Sequence, residues 1–240
     1  QEVEKYCNLL LIVRKSLSDL KLAISGVIVM NSDLESIFNE LLAFKVPVKW
    51  SDTFLSLKPI LSWVKEFSNR VKFFENWWIN KKPKAFWLNA FCFPQAFITG
   101  VLQNFARKKK LAIDSLSFEF EVSDYFREDD PNISLPEHGV YVYGLILEGS
   151  TCRPKESIID EPVPNELYSQ LPLVLFLPTD PKKVYADRYK APLYKTLSRS
   201  GTLTTTGHSS NFVMYVELPS QKDTEHWIKA GVACFLALKD

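Results

Sequence analysis

The chain has 240 residues, of which 46% are apolar, and its formal net charge at pH 7 is +1. This is the composition of an ordinary globular protein, and the balanced charge gives no electrostatic argument for binding nucleic acid or an anionic membrane. No stretch reaches the roughly 18 uninterrupted apolar residues that a membrane-spanning helix needs, and the first residues lack a signal-peptide pattern. We therefore expect a soluble, cytosolic protein without nucleic-acid or membrane partners. Gln1 runs straight into a helical pattern, which is consistent with a fragment of a longer protein.

Two long helices are predicted before residue 48. In the first, which is expected to end near Gly26, one apolar stripe with three- and four-residue spacing consists of Tyr6, Leu9, Leu10, Val13, Leu17, Leu20 and Ile24. Ser32 and Glu35 have the spacing of a capping box, in which a serine and a glutamate side chain bond the backbone at a helix start. The second helix is therefore predicted to begin at Ser32 and to end before Pro47.

Two further helices each begin at a proline, which suits the first helical turn because its missing N–H has no partner there. Pro59 precedes an apolar stripe made of Ile60, Val64, Phe67, Val71, Phe74 and Trp78. Pro94 precedes a second stripe that continues to Phe105. Gly100 lies inside this last helix at a cost of about 1 kcal/mol relative to alanine, so we expect a neighbouring backbone to approach it closely.

The second half of the sequence changes to the two-residue period of β-strands. Strict alternation of apolar and polar residues from Leu116 to Val122 predicts a strand with one buried and one solvated face. About six strands are predicted, over residues 116–122, 140–147, 173–177, 189–197, 212–218 and 232–238. A short helix over residues 224–229 precedes the last strand, and residues 148–170 are interpreted as a long surface excursion. Turn-rich connections favour an antiparallel barrel or sandwich over a parallel sheet.

These elements predict an α+β fold. Residues 1–112 form a helical part and residues 113–240 form an antiparallel β part. The boundary near Lys110 to Ser115 leaves few connecting residues. We therefore expect the two parts to pack on each other.

Glycine-rich motifs for phosphate binding are missing from the sequence. It has eight glycines and neither G-x-x-x-x-G-K-[ST] nor G-x-G-x-x-G, so autonomous nucleotide hydrolysis is not expected.

The three histidines are only weak candidates for a metal-binding or catalytic site. His138, His208 and His226 could ligate a metal or act as general bases if the fold joined them to Cys152 or a carboxylate. None of them has a second ligand type four residues away. Solvent-facing or hydrogen-bonded structural histidines are the favoured interpretation.

The four cysteines, Cys7, Cys92, Cys152 and Cys234, lie far apart and form no C-x-x-C pair. This spacing argues against a zinc site and gives no support for a disulfide framework. Free thiols are predicted.

A hydroxyl-rich run from Ser198 to Asn211 places serine and threonine beside His208, which suggests a nucleophile and its base. An acidic partner is missing locally and there is no G-x-S-x-G motif, so a loop or exposed hairpin turned by Gly201 and Gly207 is favoured. A catalytic role for this run stays as the alternative.

For two charged segments, a solvent-exposed surface is favoured over a functional site. Residues 107–110 are four consecutive cations at a predicted helix end, and the aromatic residues that could stack on bases lie on core stripes. A solvated helix end is therefore favoured over a nucleic-acid patch. Glu119 and Glu121 share one face of a strand, and a solvated face is favoured over a catalytic carboxylate pair.

Several motifs resemble the C-terminal region of dynein heavy chains, and the resemblance covers nearly the whole sequence. The first group is Phe86-Trp87-Leu88, Gln95-Ala96-Phe97-Ile98-Thr99-Gly100 and Leu102-Gln103-Asn104-Phe105-Ala106-Arg107-Lys108. The second group is similar to the axonemal branch and comprises Ala191-Pro192-Leu193-Tyr194-Lys195-Thr196, Gly201-Thr202-Leu203, Thr205-Thr206-Gly207-His208-Ser209 and Asn211-Phe212-Val213. Residues 1–46 are similar to the end of the sixth AAA+ module, which precedes the C-terminal domain.

The resemblance implies a C-terminal domain built of a helical part and an incomplete antiparallel β-barrel. It also implies a parent microtubule motor of ciliary and flagellar axonemes, in which ATP and Mg are bound by other ring modules. No catalytic, cofactor-binding or metal-binding residue is then expected in these 240 residues, which would pack on the AAA+ ring and modulate motor output. The implied partners are neighbouring AAA+ modules and, through the parent heavy chain, the microtubule and the dynein intermediate and light chains. The alternative is an independent ligand-binding β-barrel or hydrolase that uses the His208 loop.

Overall fold

The computed structural model describes residues 2–51, 56–80, 82–153, 156–180, 185, 187–205 and 207–237. Contacts divide the protein into two compact units, one within residues 1–81 and the other over Lys82–Ala237. The predicted division at residue 112 follows secondary structure instead and stays a prediction. Among the described residues, no helix has both the length and the apolar character needed to cross a bilayer.

The first unit is helical. Its elements are α1 (Glu2–Ile24), α2 (Ser32–Leu42), α3 (Val48–Ser51) and α4 (Ile60–Ile79). The three longer helices confirm the predicted ones, and the short α3 lies between the second and third predicted helices, where no helix was predicted.

The start of α2 corrects one detail of the prediction. Asn31 is the residue that caps the helix, and its side-chain Oδ1 accepts a hydrogen bond from the backbone N–H of Leu34 at 2.9 Å. Ser32 is already inside the helix, so the capping box of Ser32 and Glu35 is wrong by one residue. Asparagine and serine are about equally good caps, and the sequence offers them side by side.

Aromatic side chains form the core between α1 and α4. The ring of Tyr6, near the start of α1, lies 5.6 Å from that of Phe67 in α4. Trp50 of α3 donates a hydrogen bond from Nε1 to Ser16 Oγ in α1 at 3.0 Å, and its ring stacks 6.1 Å from that of Trp63, near the start of α4. The two long helices therefore run antiparallel.

A buried ion pair lies inside the same unit. The Arg70 side chain is 1% exposed, and its Nη2 lies 2.5 Å from Glu66 Oε1 one helical turn earlier. Lys58 Nζ lies 3.4 Å from the second carboxylate oxygen, Glu66 Oε2. Burying charged groups is costly unless they are paired, so this cluster makes the unit sensitive to the loss of any one partner.

Within the described residues, the second unit combines two α-helices, two one-turn 3-10 helices (Leu88–Ala90 and Ile113–Ser115) and eleven strands. Helix α5 spans Pro94–Lys109 with the proline in its first turn, as predicted, and α6 spans Thr224–Lys229. The strands are β1 (Ala85–Trp87), β2 (Ser117–Val122), β3 (Val140–Tyr143), β4 (Ile146–Glu148), β5 (Thr151–Arg153), β6 (Ile158–Asp160), β7 (Tyr168–Gln170), β8 (Val174–Thr179), β9 (Arg188–Thr196), β10 (Phe212–Pro219) and β11 (Ala233–Ala237). The excursion predicted over residues 148–170 thus contains the short strands β5, β6 and β7.

The strands form three sheets, with the orders β1-β3-β8-β2, β10-β9-β11-β4-β7 and β5-β6. The pairs β1–β3 and β11–β9 are parallel and the others are antiparallel, so the purely antiparallel arrangement is wrong at two pairs. The α+β class is confirmed. No sheet closes on itself within the described strands, and the incomplete barrel is not confirmed.

A bent two-stranded ribbon joins the two larger sheets. Strands β3 and β4 follow one another, as do β7 and β8, and their pairing register is continuous from Val140 opposite Phe176 to Glu148 opposite Tyr168. The ribbon changes sheet at Gly144, whose φ is +78°. A Cβ atom there would lie 3.0 Å from the Trp87 ring. The single strand predicted over residues 140–147 is therefore divided at a residue that only glycine suits.

Two hydrogen bonds connect elements at the edges of the two larger sheets in the second unit. Strand β10 lies beside β2, and Arg188 Nη1 at the start of β9 donates a hydrogen bond to the Phe120 carbonyl oxygen of β2 at 2.5 Å. Gln95 at the start of α5 donates from Nε2 to the Phe212 carbonyl oxygen at 2.9 Å. These bonds attach α5 to β10 and join the edges of the two larger sheets.

Gly100 does not have the predicted role. A Cβ atom at this position would meet nothing within 4 Å among the described residues, so the expected close backbone approach is wrong. The physical reason is helix geometry, since Gly100 lies about 200° around α5 from the buried Ile98.

Candidate interaction surfaces

His138 and His226 lie in unrelated surroundings. His138 Nε2 is 3.2 Å from Glu137 Oε1, and its ring meets the Phe105 ring edge-on at 5.2 Å. His226 Nε2 is 2.8 Å from Glu161 Oε1. Within the residues that the structure describes, no three histidine, cysteine, aspartate or glutamate side chains gather as metal ligands. Neither histidine is brought together with Cys152.

The hydroxyl-rich segment from Ser198 to Asn211 folds as the predicted exposed hairpin, which we call the His208 hairpin. Leu203 and Ser209 form an antiparallel bridge, and the backbone N–H of Thr204 donates to the His208 carbonyl oxygen at 2.8 Å. Thr206, which also belongs to this segment, lies outside the described residues. The Leu203 side chain is 80% exposed, so the hairpin presents an apolar residue to its surroundings.

The two glycines of the hairpin act in different ways. Gly207 has a φ of +79° and supplies the predicted turn. Gly201 instead permits close approach, because a Cβ atom there would lie 2.5 Å from Ser210 Oγ and 2.7 Å from Ser209 Oγ. The sequence identified both glycines but could not distinguish these roles.

Asn211 holds the base of the His208 hairpin. Its side chain is fully buried, and Oδ1 accepts a hydrogen bond from the backbone N–H of Thr196 at 3.0 Å. Its Nδ2 donates to Thr196 Oγ1 at 2.9 Å and to Ser198 Oγ at 3.1 Å. The amide group of Asn211, on the second arm, therefore bonds three polar atoms of the first arm and links the two arms at the base of the hairpin.

We expect Asn211→Ala to lower the free energy of unfolding by about 2 kcal/mol, because the buried N–H of Thr196 loses its acceptor. Urea denaturation measures this change. The control is Thr202→Ala, since the Thr202 hydroxyl is exposed and makes only a 3.4 Å contact with Ser210 Oγ. We expect that control to change stability by less than about 0.5 kcal/mol. Equal midpoints for the two variants would contradict this account of the hairpin.

A second anchor joins the hairpin to the sheet. Arg199 Nη2 pairs with Glu148 Oε2 of β4 and also lies 3.1 Å from the Gly231 carbonyl oxygen. The guanidinium carbon lies 5.3 Å from the centre of the Phe235 ring in β11. The hairpin is thus held at its base from two directions while its tip stays exposed.

The cationic segment has the solvated character that was predicted, whereas of the two glutamates only Glu121 does, because one carboxylate oxygen of Glu119 is buried. All four residues from Arg107 to Lys110 are exposed at the end of α5, and Lys110 adopts the left-handed conformation that ends the helix. In β2, Glu121 is exposed and Glu119 is half-buried, on the face opposite the buried Phe120.

Free thiols are confirmed for all four cysteines. Cys7 is exposed, Cys92 is half-buried, and Cys152 and Cys234 are buried. Burial raises the pKa of the Cys152 thiol to about 11 and that of Cys234 to about 12, which disfavours the reactive thiolate. Because the folded-state pKa values exceed the ordinary value of 9.0, these thiols favour the folded protein below that pH and cease to do so as the pH rises towards 12.

Thiol labelling at about pH 8 tests this assignment. We expect Cys7 to react rapidly in the folded protein, whereas Cys152 and Cys234 should react only as it unfolds. Mass spectrometry of labelled peptides distinguishes the sites. In denaturant all four thiols should react at similar rates, which serves as the control. Rapid labelling of Cys234 in the folded protein would contradict its burial.

An apolar groove lies in the first unit between the start of α1 and the end of α4. We call it the α1/α4 groove; its volume is about 510 Å³, and its lining consists of Val3, Tyr6, Cys7, Leu10, Val71, Phe74, Glu75 and Trp78. The Trp78 side chain is 90% exposed. The sequence had placed Trp78 in the buried stripe of α4, and that prediction is wrong. Spacing alone does not show which of two adjacent stripes on a helix is buried.

Comparison with known proteins identifies the family. The family model for the C-terminal domain of dynein heavy chains matches residues 1–236. The chain belongs to this family. It is 44% identical over 240 residues to dynein axonemal heavy chain 1 of Rattus norvegicus, covering 99% of the present sequence and 5% of that protein. It is also 43% identical over 242 residues to dynein axonemal heavy chain 12 of Homo sapiens, covering 100% of the present sequence and 8% of the relative.

A third relative, dynein axonemal heavy chain 6 of Homo sapiens, is 39% identical over 259 aligned positions and is covered over 6% of its length. The 240 residues therefore span only a small part of the heavy chains they match. In this dynein C-terminal domain the alternative of an enzyme built on the His208 hairpin is not supported. The His208 ring stacks 4.4 Å from Phe212 and lies 6.1 Å from Tyr215, and no described carboxylate orients it.

Proposed function

We propose that this protein is the C-terminal part of an axonemal dynein heavy chain, a microtubule motor for ciliary and flagellar movement. The observation that carries the proposal is the match of the entire sequence to axonemal heavy chains at 39 to 44% identity. The cytoskeleton of the axoneme in cilia and flagella is then its location. The microtubule and the dynein intermediate and light chains are partners of the parent heavy chain.

This part of the heavy chain acts, in the proposal, without catalysis of its own. ATP and Mg belong to AAA+ modules elsewhere in the parent. Two observations support this: the sequence contains neither phosphate-loop pattern, and the three histidines have separate aromatic or acidic neighbours. No catalytic, cofactor-binding or metal-binding residue is assigned.

The proposal includes an architecture in which residues 1–112 form a helical part and residues 113–240 an incomplete antiparallel barrel. Six positions around such a barrel would be β10, β9, β11, the two arms of the bent ribbon, and β2. Going around the barrel, the first paired strands would be β10–β9, β9–β11 and β11–β4. The two arms of the ribbon follow, paired through β4–β7 and β3–β8, and the last pair is β8–β2. The remaining gap would lie where β2 runs beside β10 and Arg188 bonds the Phe120 carbonyl oxygen. The parallel pair β9–β11 is a departure from a purely antiparallel barrel.

Such a domain would modulate motor output by packing on neighbouring AAA+ modules of the same heavy chain. A domain that contacts two modules biases their relative positions by the difference in contact free energy between two ring states. Support comes from two surfaces that the described residues leave uncovered: the anchored His208 hairpin with its exposed Leu203, and the apolar α1/α4 groove.

Ending the parent heavy chain after Lys110 tests this function, since it removes strands β2 to β11. We expect altered coupling between ATP hydrolysis and movement, seen as a changed microtubule gliding speed at a given ATPase rate. Retained ATP binding by the shortened motor shows that the ring still folds. The second control is the intact motor carrying Thr202→Ala, which removes only an exposed hydroxyl and should leave coupling unchanged. Unchanged gliding and ATPase coupling would contradict the proposal.

A further inference from the structure

Helix α1 carries a second apolar stripe besides the one in the core. Every seventh residue from the start of the helix is apolar and exposed: Val3 at 56%, Leu10 at 44%, Leu17 at 43% and Ile24 at 61%. Residues that pack in the core, such as Tyr6, Leu9 and Leu20, lie on the adjacent side of the helix. In the sequence the two stripes read as one because their spacings interleave.

Helix α4 carries a matching stripe. Leu61 is 75% exposed, Val64 is 47% exposed and Trp78 is 90% exposed, and the half-buried Val71 lies seven residues from both Val64 and Trp78. Core residues such as Trp63, Phe67 and Arg70 again occupy the neighbouring side. Two helices therefore present apolar stripes that nothing within the described first unit covers.

These two stripes meet at the α1/α4 groove. Because α1 and α4 run antiparallel, Val3 and Leu10 near the start of α1 line the same groove as Val71 and Trp78 towards the end of α4. Apolar residues repeated every seven positions are the pattern by which one helix packs along another. A pair of such stripes flanking one groove fits a third helix laid between them.

We propose that the α1/α4 groove holds an amphipathic α-helix from the polypeptide that precedes Gln1 in the parent heavy chain. The proposal rests on the proposed function, which makes these 240 residues a C-terminal part of a much longer protein. Relatives are covered over only 5 to 8% of their length, so a parent of similar size has most of its residues upstream. That upstream polypeptide joins at Gln1, two residues from Val3 in the groove.

The attachment point favours this occupant over a second copy of the protein. A segment tethered a few residues from the groove has a high effective concentration there, whereas a second copy has only its concentration in solution. The lining agrees, since Glu75 is its one charged residue and permanent interfaces are more apolar than transient ones. A helix with apolar residues on one face would cover Trp78, Leu10 and Val71 together.

Labelling of Cys7 tests the proposal directly, because this exposed thiol lies in the groove. Maleimide modification is followed by mass spectrometry on the tryptic peptide from Tyr6 to Arg14, in both the 240-residue protein and the parent heavy chain. We expect Cys7 to react at least about tenfold more slowly in the parent, because the docked helix must open first.

Two variants of one helix make the comparison specific. Leu10→Asp places a charge in the groove and should restore rapid Cys7 labelling in the parent. Leu11→Asp places the same charge outside the groove, on a residue that is 63% exposed, and should leave Cys7 protected. Neither change should alter the unfolding midpoint of the 240-residue protein, since both leucines are exposed in it.

Equal labelling rates in the two proteins would overturn the proposal, as would protection in the parent that Leu10→Asp does not relieve. Protection that appears in the 240-residue protein at high concentration, together with a dimer in sedimentation, would assign the groove to a second copy instead. Truncation after Lys110 is measured on the same parent protein and tests motor modulation separately. An unprotected Cys7 with altered coupling would therefore refute only the groove proposal, whereas a protected Cys7 with unchanged coupling would refute only the proposed function.

Discussion

Arg70→Met should lower the free energy of unfolding by about 3 to 5 kcal/mol. The Arg70 side chain is 1% exposed and lies 2.5 Å from Glu66, whose own side chain is 9% exposed. Removing the guanidinium takes away the 2.5 Å partner of a buried carboxylate and leaves Lys58 Nζ at 3.4 Å from its other oxygen. The loss is large because a buried charge without adequate compensation is far more costly than the net contribution of the pair. Urea denaturation followed by tryptophan fluorescence measures it.

Arg127→Met is the matched control. Arg127 also pairs with a carboxylate, at 2.8 Å from Asp129, but the two side chains are 78% and 62% exposed. We expect no measurable shift of the midpoint, since exposed ion pairs contribute little. In addition, Arg70→Met combined with Glu66→Gln should recover part of the lost stability. Equal effects for the buried and the exposed arginine would contradict the assigned role of the cluster.

Gly139→Ala should destabilise the second unit by about 3 kcal/mol or more. Gly139 has a φ of +78°, and a Cβ atom there would lie 2.2 Å from the Phe176 carbonyl oxygen. That oxygen belongs to the backbone of β8, which pairs with both β2 and β3 and cannot move away alone. The substitution therefore displaces the centre of the first sheet. Thermal or urea unfolding of the purified protein measures the change.

Gly100→Ala is the contrasting control within the same protein. This glycine lies inside α5, and the added methyl group would meet nothing within 4 Å among the described residues. We expect the substitution to stabilise the protein by about 0.4 to 1 kcal/mol, because alanine loses less conformational freedom in a helix. Destabilisation by both substitutions, or by neither, would contradict the geometry found at the two positions.

Elements with strong local signals could be predicted from the sequence. Pro94 fixed the start of α5, the alternation over residues 116–122 predicted β2, and residues 224–229 form the predicted short helix. Glycine and hydroxyl residues likewise predicted the exposed His208 hairpin. In each case the interactions that decide the structure lie within a few residues of one another.

Features that depend on distant residues could not be predicted. Strands β1, β5, β6 and β7 have only three residues each, too few to show a period, and β1 and β7 form through pairing with the distant strands β3 and β4. The division of the 140–147 strand depends on Gly144 meeting Trp87, and the two parallel pairs depend on the order of strands in the sheets. Local patterns carry no information about either.

The exposed stripe and the base of the His208 hairpin could not be predicted either, because they also depend on contacts between distant residues. Trp78 and Leu17 have the same residue types and spacing as core residues, and only the packing of α1 on α4 shows that they lie on an exposed stripe. The bonding role of Asn211 could not be predicted, because it depends on Thr196 and Ser198 across the base of the hairpin. The absence of phosphate-loop motifs, by contrast, was visible in the sequence alone.

We propose that this protein acts through its packing surfaces and not through chemistry of its own. The most direct test is nucleotide turnover by the purified 240-residue protein in the presence of ATP and Mg²⁺. We expect phosphate release no faster than in buffer without protein, while a dynein heavy chain assayed in parallel is active. Turnover by the isolated 240-residue protein that is abolished by His208→Ala would contradict the claim.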